Sequence, residues 1–196
     1  MTSIILAGGK SSRLRRNKAL EIIGGKSLVQ RVVERLALVS DQILIVGSPA
    51  QLCLSSDYGV EYRADLYPDK GPLGGIYTGL VASGSLYNLV VACDMPFLNI
   101  ELLRYMIKLS SGFDAVIPEV EGIQPLHAVY CRGCLDGIRT QLESDQLKIA
   151  YFLKMVNVRY VDEAECQSFD PQLLSFFNVN SQADLARANI LAREEC

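Results

Sequence analysis

The sequence predicts an α/β fold with three layers, in which helices cover both faces of a mostly parallel sheet. Short apolar runs rich in β-branched residues are typical of strands buried on both faces, and they occur at residues 3–6, 42–46, 89–92 and 115–117. Segments with helical spacing of apolar residues separate these runs. With 196 residues, of which 49% are hydrophobic, the chain can bury one substantial core. We therefore expect a single domain over residues 1–196.

The elements follow one another as βαβ units. Residues 28–38 and 100–109 carry apolar side chains at helical spacing, and residues 75–82 continue a further helix. Repeated βαβ units predict parallel strands, whose carboxyl ends form the usual ligand site. The loops that follow the strands are therefore where we expect the functional residues.

The last third of the chain gives weaker patterns. Residues 124–130 read as an extended segment, and Pro125 favours an edge strand or a strand start over a central position. Residues 176–181 alternate apolar and polar side chains, which predicts a strand end, with Asn180 or Ser181 capping a helix that runs through Arg193.

Composition excludes several classes of function. A net charge of −3 and a pI near 5.3 argue against a general nucleic-acid or membrane-surface binder, since both depend on a broad basic excess. No apolar run reaches transmembrane length, and the chain enters its first strand without a signal-peptide pattern. We expect a cytoplasmic protein with no nucleic-acid or membrane partner.

The six cysteines are expected to be reduced thiols in that compartment. Cys131 and Cys134 form a CxxC motif, and His127, the only histidine, lies four residues before it. Zinc requires four ligands, and no second close cysteine pair exists in the sequence. Two thiols at a strand-to-helix corner are therefore favoured over a metal or redox site. A lone histidine is at least as typical of a packed or surface residue as of a catalytic one, so both interpretations of His127 stay open.

The first candidate site is the loop after residues 3–6. Gly8 and Gly9 allow the backbone to turn with its N–H groups pointing inward. Five cations follow within nine residues, namely Lys10, Arg13, Arg15, Arg16 and Lys18. The charges alone are equally typical of a solvated surface or a nucleic-acid patch. The paired glycines favour a site for a nucleoside triphosphate, although the spacing matches neither a Walker A loop nor the dinucleotide fingerprint.

Two further loops carry carboxylates. Residues 64–75 include Asp65 and a dense group of turn formers before a helix that Leu73 or Gly74 begins, which predicts either a simple turn or close backbone contact with a base or ribose. Asp94 directly follows a buried strand and is fixed by Pro96. Mg²⁺ prefers one or two carboxylates together with phosphate oxygens, so Asp94 is the candidate metal ligand. Asn99 is the better N-cap for the next helix.

These loops resemble those of the molybdenum cofactor guanylyltransferase family, the MobA-like nucleotidyltransferases. The first loop is similar to the family signature Leu-Ala-Gly-Gly-x-Ser-x-Arg-Met-Gly-x-Asp-Lys, although Arg15 and Asn17 stand where the family usually has glycine and aspartate. The stretches Gly-Pro-Leu-Gly-Gly, Cys-Asp-Met-Pro-Phe and Asn-Val-Asn-Ser also resemble family motifs. The resemblance covers residues 4–188 and implies a Rossmann-like nucleotidyltransferase fold.

The resemblance implies transfer of GMP from Mg-GTP to the terminal phosphate of molybdopterin, with release of pyrophosphate. It implies catalytic roles for Arg13, Lys18 and Asp94, with Asp94 as the Mg²⁺ ligand and Asn178 and Asn180 on the pterin side. The implied GTP-binding residues are Leu6, Ala7, Gly8, Gly9, Lys18, Asp65, Gly71, Pro72, Leu73, Gly74 and Asp94. Transient contacts with proteins that deliver or receive the cofactor are implied as well.

Three alternatives stay open from the sequence. The acceptor could be another phosphorylated small metabolite, and the nucleotide could be CTP, although the resemblance predicts Ala-Gly in the first loop of the cytidylyl branch. A module that binds GTP without catalysis is the third, and Arg15 and Asn17 are the residues that favour it.

Overall fold

The computed structural model describes residues 1–8, 18–47 and 58–194. Seven strands form the central sheet, in the order β5-β4-β1-β6-β8-β7-β9. They are β1 (Thr2–Leu6), β4 (Gln42–Val46), β5 (Val60–Arg63), β6 (Tyr87–Ala92), β7 (Ala115–Glu119), β8 (His127–Cys131) and β9 (Val158–Asp162). A separate two-stranded hairpin consists of β2 (Ile22–Ile23) and β3 (Lys26–Ser27).

Helices cover both faces of the sheet, as the sequence predicts. Seven helices lie within the described residues: α1 (Leu28–Leu36), α2 (Gly71–Ala82), α3 (Ile100–Leu109), α4 (Leu135–Glu143), α5 (Ile149–Leu153), α6 (Glu163–Gln167) and α7 (Gln182–Glu194). Helices α1, α3 and α6 pack in one hydrophobic cluster, and α2, α4 and α5 pack in the other. Side chains of β1 alternate between the clusters, with Ile5 in the first and Ile4 in the second. Of these helices, none is long and apolar enough to cross a bilayer.

The sheet is mostly parallel, but β8 is not. Strand β1 pairs in parallel with β4 and β6, whereas β8 is antiparallel to both β6 and β7. The expectation of an edge position for this segment is wrong, because β8 lies inside the sheet. The alternative of a strand start is confirmed: Pro125 lies just before His127, the first residue of β8, so its missing N–H removes no bond from the ladder.

Several element boundaries differ from the predictions, most of them by one to three residues at a strand end. Helix α1 ends at Leu36, two residues earlier than expected. Helix α2 begins at Gly71 instead of Leu73 or Gly74, because Pro72 has the backbone angle that the first helical turn needs. No strand forms around Asn180. Helix α3 has the predicted bounds, and its N-cap is Asn99, whose side chain accepts a hydrogen bond from Leu102 N at 3.0 Å.

Candidate active site

Main-chain hydrogen bonds join three loops at the carboxyl edge of the parallel strands. Ala7 N donates to Val46 O at 2.9 Å, which continues the β1–β4 ladder one residue beyond the end of β1. Cys93 N donates to Leu6 O at 3.2 Å, and Val179 N donates to Asp94 O at 3.0 Å. The glycine loop, the Asp94 loop and the segment that contains Asn178 and Asn180 are therefore held beside one another.

Gly47 permits the close approach of the segment after β4 to the glycine loop, and it was not among the site residues predicted from the sequence. A Cβ atom at Gly47 would lie 2.8 Å from both the carbonyl carbon and the oxygen of Ala7, and the residue has φ +150°. Only glycine tolerates both conditions without strain. The signal available in the sequence was a glycine directly after the apolar run of β4.

The loop between β5 and α2 holds Asp65 in a defined orientation. Asp65 Oδ1 accepts hydrogen bonds from Tyr67 N at 3.0 Å and from Thr78 Oγ1 at 2.9 Å. Thr78 lies on α2 and is buried. The half-buried carboxylate is thus fixed to both its own loop and the following helix.

Packing explains much of the Gly-Pro-Leu-Gly-Gly sequence. A Cβ atom at Gly74 would lie 2.8 Å from Tyr67 O, so this glycine lets the loop approach the helix. Leu73 is fully buried in the core, and Gly71 has φ +64°. A nucleotide contact by Leu73 or Gly74 would therefore use the backbone of the first turn of α2, where Lys70 provides no side-chain cap.

Asp94 lies half-buried at the end of β6, and the residues that follow it are buried. Asn99 caps α3, so Asp94 is not needed as a cap. The described residues contain no group of three or more histidine, cysteine, aspartate and glutamate side chains that could enclose a metal ion. One carboxylate fits Mg²⁺ only where substrate phosphates and water complete the coordination.

The two asparagines lie on the segment that binds the Asp94 loop. Asn178 Nδ2 donates to Phe176 O at 3.0 Å, and Asn180 N donates to Asp184 Oδ2 at 3.0 Å. Asp184 N also donates to Ser181 Oγ at 3.2 Å, which identifies Ser181 as the cap of α7. Asn180 is exposed, so its side chain is accessible to a ligand at this edge.

His127 does not belong to the accessible site. It is fully buried and packs on the Phe176 ring, with 4.8 Å between ring centroids. Neither ring nitrogen has a hydrogen-bond partner among the described residues. Burial lowers the pKa of His127 to about 4, and the nearby main chain of Ser175 acts in the opposite direction. His127 is therefore packed, neutral at pH 7 and out of contact with any substrate.

The cysteine pair lies at the other edge of the sheet. Cys131 ends β8 and is paired with Tyr87 at the start of β6, and Cys134 lies in the short 3₁₀ turn before α4. The prediction of a strand-to-helix corner is confirmed. Burial raises the pKa of the Cys134 thiol to about 12, which disfavours the reactive thiolate.

Some predicted site residues cannot be placed in this way. Gly9 and Arg13, together with Arg15 and Asn17, lie outside the described residues. The backbone of Lys18 begins a 3₁₀ turn that ends at Leu20. The structure therefore brings together Leu6, Ala7, Gly8, Asp94 and the two asparagines. Asp65 lies at the same edge but follows β5, which β4 separates from β1.

Comparison with known proteins identifies the family. The model of the MobA-like NTP transferase domain matches residues 3–158. The chain belongs to the MobA-like NTP transferase family. A MobA-like relative from Pelotomaculum thermopropionicum, named probable molybdenum cofactor guanylyltransferase, is 38% identical over 97% of this chain and 93% of its own length. A second, from Desulfosudis oleivorans and named molybdenum cofactor guanylyltransferase, is 35% identical over 96% of this chain and 94% of its own.

The fold comparison agrees with this MobA-like assignment. The crystal structure of molybdopterin-guanine dinucleotide biosynthesis protein A from Archaeoglobus fulgidus has a TM-score of 0.85 and 31% sequence identity, over 99% of this chain and 100% of that one. The predicted three-layer nucleotidyltransferase fold is confirmed. This MobA-like chain is a nucleotidyltransferase.

Proposed function

We propose that this chain is a molybdenum cofactor guanylyltransferase. It transfers GMP from GTP to the terminal phosphate of molybdopterin and releases pyrophosphate. The observation that carries the proposal is the similarity, over 97% of the chain, to a relative named for this activity. The arrangement of the carboxyl edge supports it, because the start of the glycine loop and the loop that carries the Asp94 carboxylate lie side by side there.

Each loop has a separate role in the proposed site. The backbone of Ala7 and Gly8 and the side chain of Lys18 bind the triphosphate, with Arg13 adding charge. Asp65 and the first turn of α2 bind the nucleoside. Asn178 and Asn180 face the acceptor. These roles rest on the family motifs and on the position of each loop at the edge.

Asp94 is the residue that would hold Mg²⁺. The bound ion would supply neutralisation of phosphate charge, which is the usual contribution of Mg²⁺ to phosphoryl chemistry. Asp94 suits this task because its loop is fixed to β1 on one side and to Val179 on the other. A positioned carboxylate needs no reorganisation when the triphosphate binds.

The reaction requires no general base from the protein. A phosphate monoester has its second pKa near 6, so the acceptor is already a dianion for the most part at neutral pH. One of its oxygens attacks the α-phosphorus of GTP, a new P–O bond forms, and the bond to the bridging oxygen of pyrophosphate breaks. The burial of His127, the sole histidine, is consistent with catalysis by positioning and charge alone.

Calorimetric titration of GTP, CTP, ATP and UTP, each with and without Mg²⁺, tests the proposal first. We expect selective, Mg²⁺-dependent binding of GTP, followed by pyrophosphate release when molybdopterin is added. Preference for CTP would indicate the cytidylyl branch. GTP binding without pyrophosphate release from any acceptor would indicate a module that binds without catalysis, and no nucleotide binding would overturn the proposal.

A further inference from the structure

The hydroxyl of Thr78 joins helix α2 to the Asp65 loop. Thr78 is only 2% exposed. Its Oγ1 accepts a hydrogen bond from Leu66 N at 3.0 Å. The same oxygen lies 2.9 Å from Asp65 Oδ1 and 3.0 Å from Gly74 O. The buried hydroxyl oxygen of Thr78 thus lies within hydrogen-bond distance of two loop residues and of a carbonyl in the preceding turn of its own helix.

The single hydroxyl hydrogen of Thr78 has two possible acceptors. A threonine hydroxyl donates one hydrogen bond and accepts up to two. Hydrogen bonds to a carboxylate are stronger than those to a neutral carbonyl. The hydrogen of Thr78 therefore goes to Asp65 Oδ1, and Gly74 O is left as a near neighbour.

As a result, the two carboxylate oxygens of Asp65 differ in the hydrogen bonds that they accept. Oδ1 already accepts from Tyr67 N and from Thr78 Oγ1, which uses the acceptor capacity of that oxygen. No donor among the described residues reaches Oδ2. The carboxylate is therefore held in one rotation, with a single oxygen open to a ligand.

We propose that Thr78 is a positioning residue of the nucleotide site. Its hydroxyl holds Asp65 so that Oδ2 is the oxygen that accepts a hydrogen bond from the nucleotide, from an N–H of the guanine base or an O–H of the ribose. The inference rests on the proposed function, because it requires Asp65 to contact the nucleotide. It also limits that contact: a two-oxygen bond to the base would require Oδ1 to release Tyr67 or Thr78.

Helix α2 itself has no need of this hydroxyl. A threonine that bonds to the carbonyl four residues earlier does not strengthen a helix, and valine has the same shape. Valine and serine are therefore a matched pair of replacements. Thr78→Val keeps the packing and removes the hydroxyl, whereas Thr78→Ser keeps the hydroxyl and removes a methyl group.

The test is a double-mutant cycle on GTP affinity, measured by calorimetry in the presence of Mg²⁺. We expect Thr78→Val to weaken GTP binding roughly tenfold, which corresponds to loss of one well-placed hydrogen bond to a charged group. Thr78→Ser should stay within about twofold of the unmodified chain. In an Asp65→Ala background, Thr78→Val should have no further effect, because the residue that it positions is gone.

Analogues of GTP identify the donor. Inosine triphosphate lacks the 2-amino group, and the 2′-deoxy and 3′-deoxy forms each lack one ribose hydroxyl. The analogue without the relevant donor should bind the unmodified chain and Thr78→Val equally well. If all three analogues keep the sensitivity to Thr78→Val, the donor is N1–H of guanine.

The outcomes separate this inference from the proposed function. If Asp65→Ala weakens GTP binding but Thr78→Val does not, or if the two effects add, Thr78 is structural and the inference is wrong. If Thr78→Ser weakens binding as much as Thr78→Val, packing is responsible and the inference is again wrong. If Asp65→Ala causes no loss of GTP affinity, the inference is wrong, but GTP binding by the chain is not in question. No GTP binding by the unmodified chain overturns the proposed function and the inference together.

Discussion

The two edges of the central sheet use polar groups in different ways. At the amino edge, side chains pair with one another: Thr2 Oγ1 lies 2.8 Å from Ser85 Oγ, and Ser3 Oγ lies 2.5 Å from Ser40 Oγ. The buried side chain of Asn88 is bonded by Ser83 in the same manner. At the carboxyl edge, main-chain bonds join the loops, and both hydrogen bonds that Asp65 accepts from described residues go to the same oxygen, Oδ1.

This difference distinguishes a structural edge from a functional one. Polar side chains that satisfy one another stabilise the fold and offer little to a ligand. Hydrogen bonds between loop backbones fix the positions of the side chains and leave their polar groups available to a ligand. This is the preorganisation that catalysis needs. Equal changes at the two edges should therefore have unequal consequences for activity.

The largest expected effect is on catalysis at the carboxyl edge. Asp94→Asn removes the charge of the carboxylate that we propose binds Mg²⁺, at nearly constant shape, so guanylyl transfer should fall at least about 100-fold. Lys18→Ala should also reduce turnover much more than stability. The measurement is steady-state release of pyrophosphate, together with the melting temperature of each variant.

Ser40→Ala at the amino edge is the control for these variants. It removes one of the paired hydroxyls and should leave the turnover unchanged, while the buried Ser3 hydroxyl loses its partner and the free energy of unfolding falls by about 1–3 kcal/mol. Turnover by Asp94→Asn within about threefold of the unmodified chain would mean that this carboxylate is not part of the catalytic site.

Two glycines at opposite edges should respond differently to the same methyl group. Gly47→Ala places a Cβ atom 2.8 Å from the Ala7 carbonyl at φ +150°, so we expect the free energy of unfolding to fall by roughly 3 kcal/mol. Nucleotide affinity should fall as well, because the glycine loop must move. Gly84 lies between α2 and β6, and a Cβ atom added there would meet no neighbouring group within 4 Å.

Gly84→Ala is accordingly the matched control, measured by the same urea denaturation and GTP titration. It should keep both the unfolding free energy and the affinity of the unmodified chain. Equal destabilisation by the two alanines would contradict the claim that Gly47, unlike Gly84, is required for a close approach of the backbone.

His127 behind the carboxyl edge should make stability depend on pH. Its pKa is about 4 in the folded chain and near 6.5 when unfolded, so the unfolded state binds more protons between these values. The contribution is complete above pH 6.5 and is lost as the pH falls towards 4. Between pH 6.5 and pH 5 we expect a loss of about 2 kcal/mol from this group.

His127→Phe isolates that contribution, since the chain has no other histidine. Urea denaturation gives the free energy of unfolding of each chain at pH 7 and at pH 5. The loss between these pH values should be larger in the unmodified chain by the contribution of His127, because the carboxylates titrate in both chains. The side-chain amide of Asn88 at the amino edge does not titrate, so its contribution to stability does not depend on pH. A pH profile that is identical in the two chains would show that His127 gains a proton without penalty.

The sequence predicted the parts of this molecule that depend on local patterns. Apolar runs located β1, β4, β6 and β7, and the glycine and aspartate loops were expected at one edge because parallel strands place them there. The antiparallel direction of β8 was missed, since it depends on a reversal between β7 and β8 where Glu121 and Gly122 both have positive φ.

The contacts of the site were harder to predict than its residues. Thr78 lies thirteen positions after Asp65, inside an apolar helix sequence, and only the packing of α2 on the loop joins them. Gly74 was read as a residue for close approach to a ligand, whereas the approaching group in the structure is the carbonyl of Tyr67. Residue type and order identify a loop, but its internal hydrogen bonds depend on tertiary packing.

The smallest expected effect belongs to the ion pair at the amino edge. The amino group of Met1 lies 2.8 Å from Asp41 Oδ2, and the Asp41 side chain is 90% exposed. The hydrogen bond and charge of that amino group lower the pKa of Asp41, but solvent screens an exposed pair strongly. Asp41→Asn should shift the melting temperature by no more than about 1 °C and leave turnover unchanged. Scanning calorimetry in low and high salt measures this shift. A larger shift that depends on salt would mean that the amino edge stabilises the fold through charge instead of through its buried hydroxyl and amide pairs.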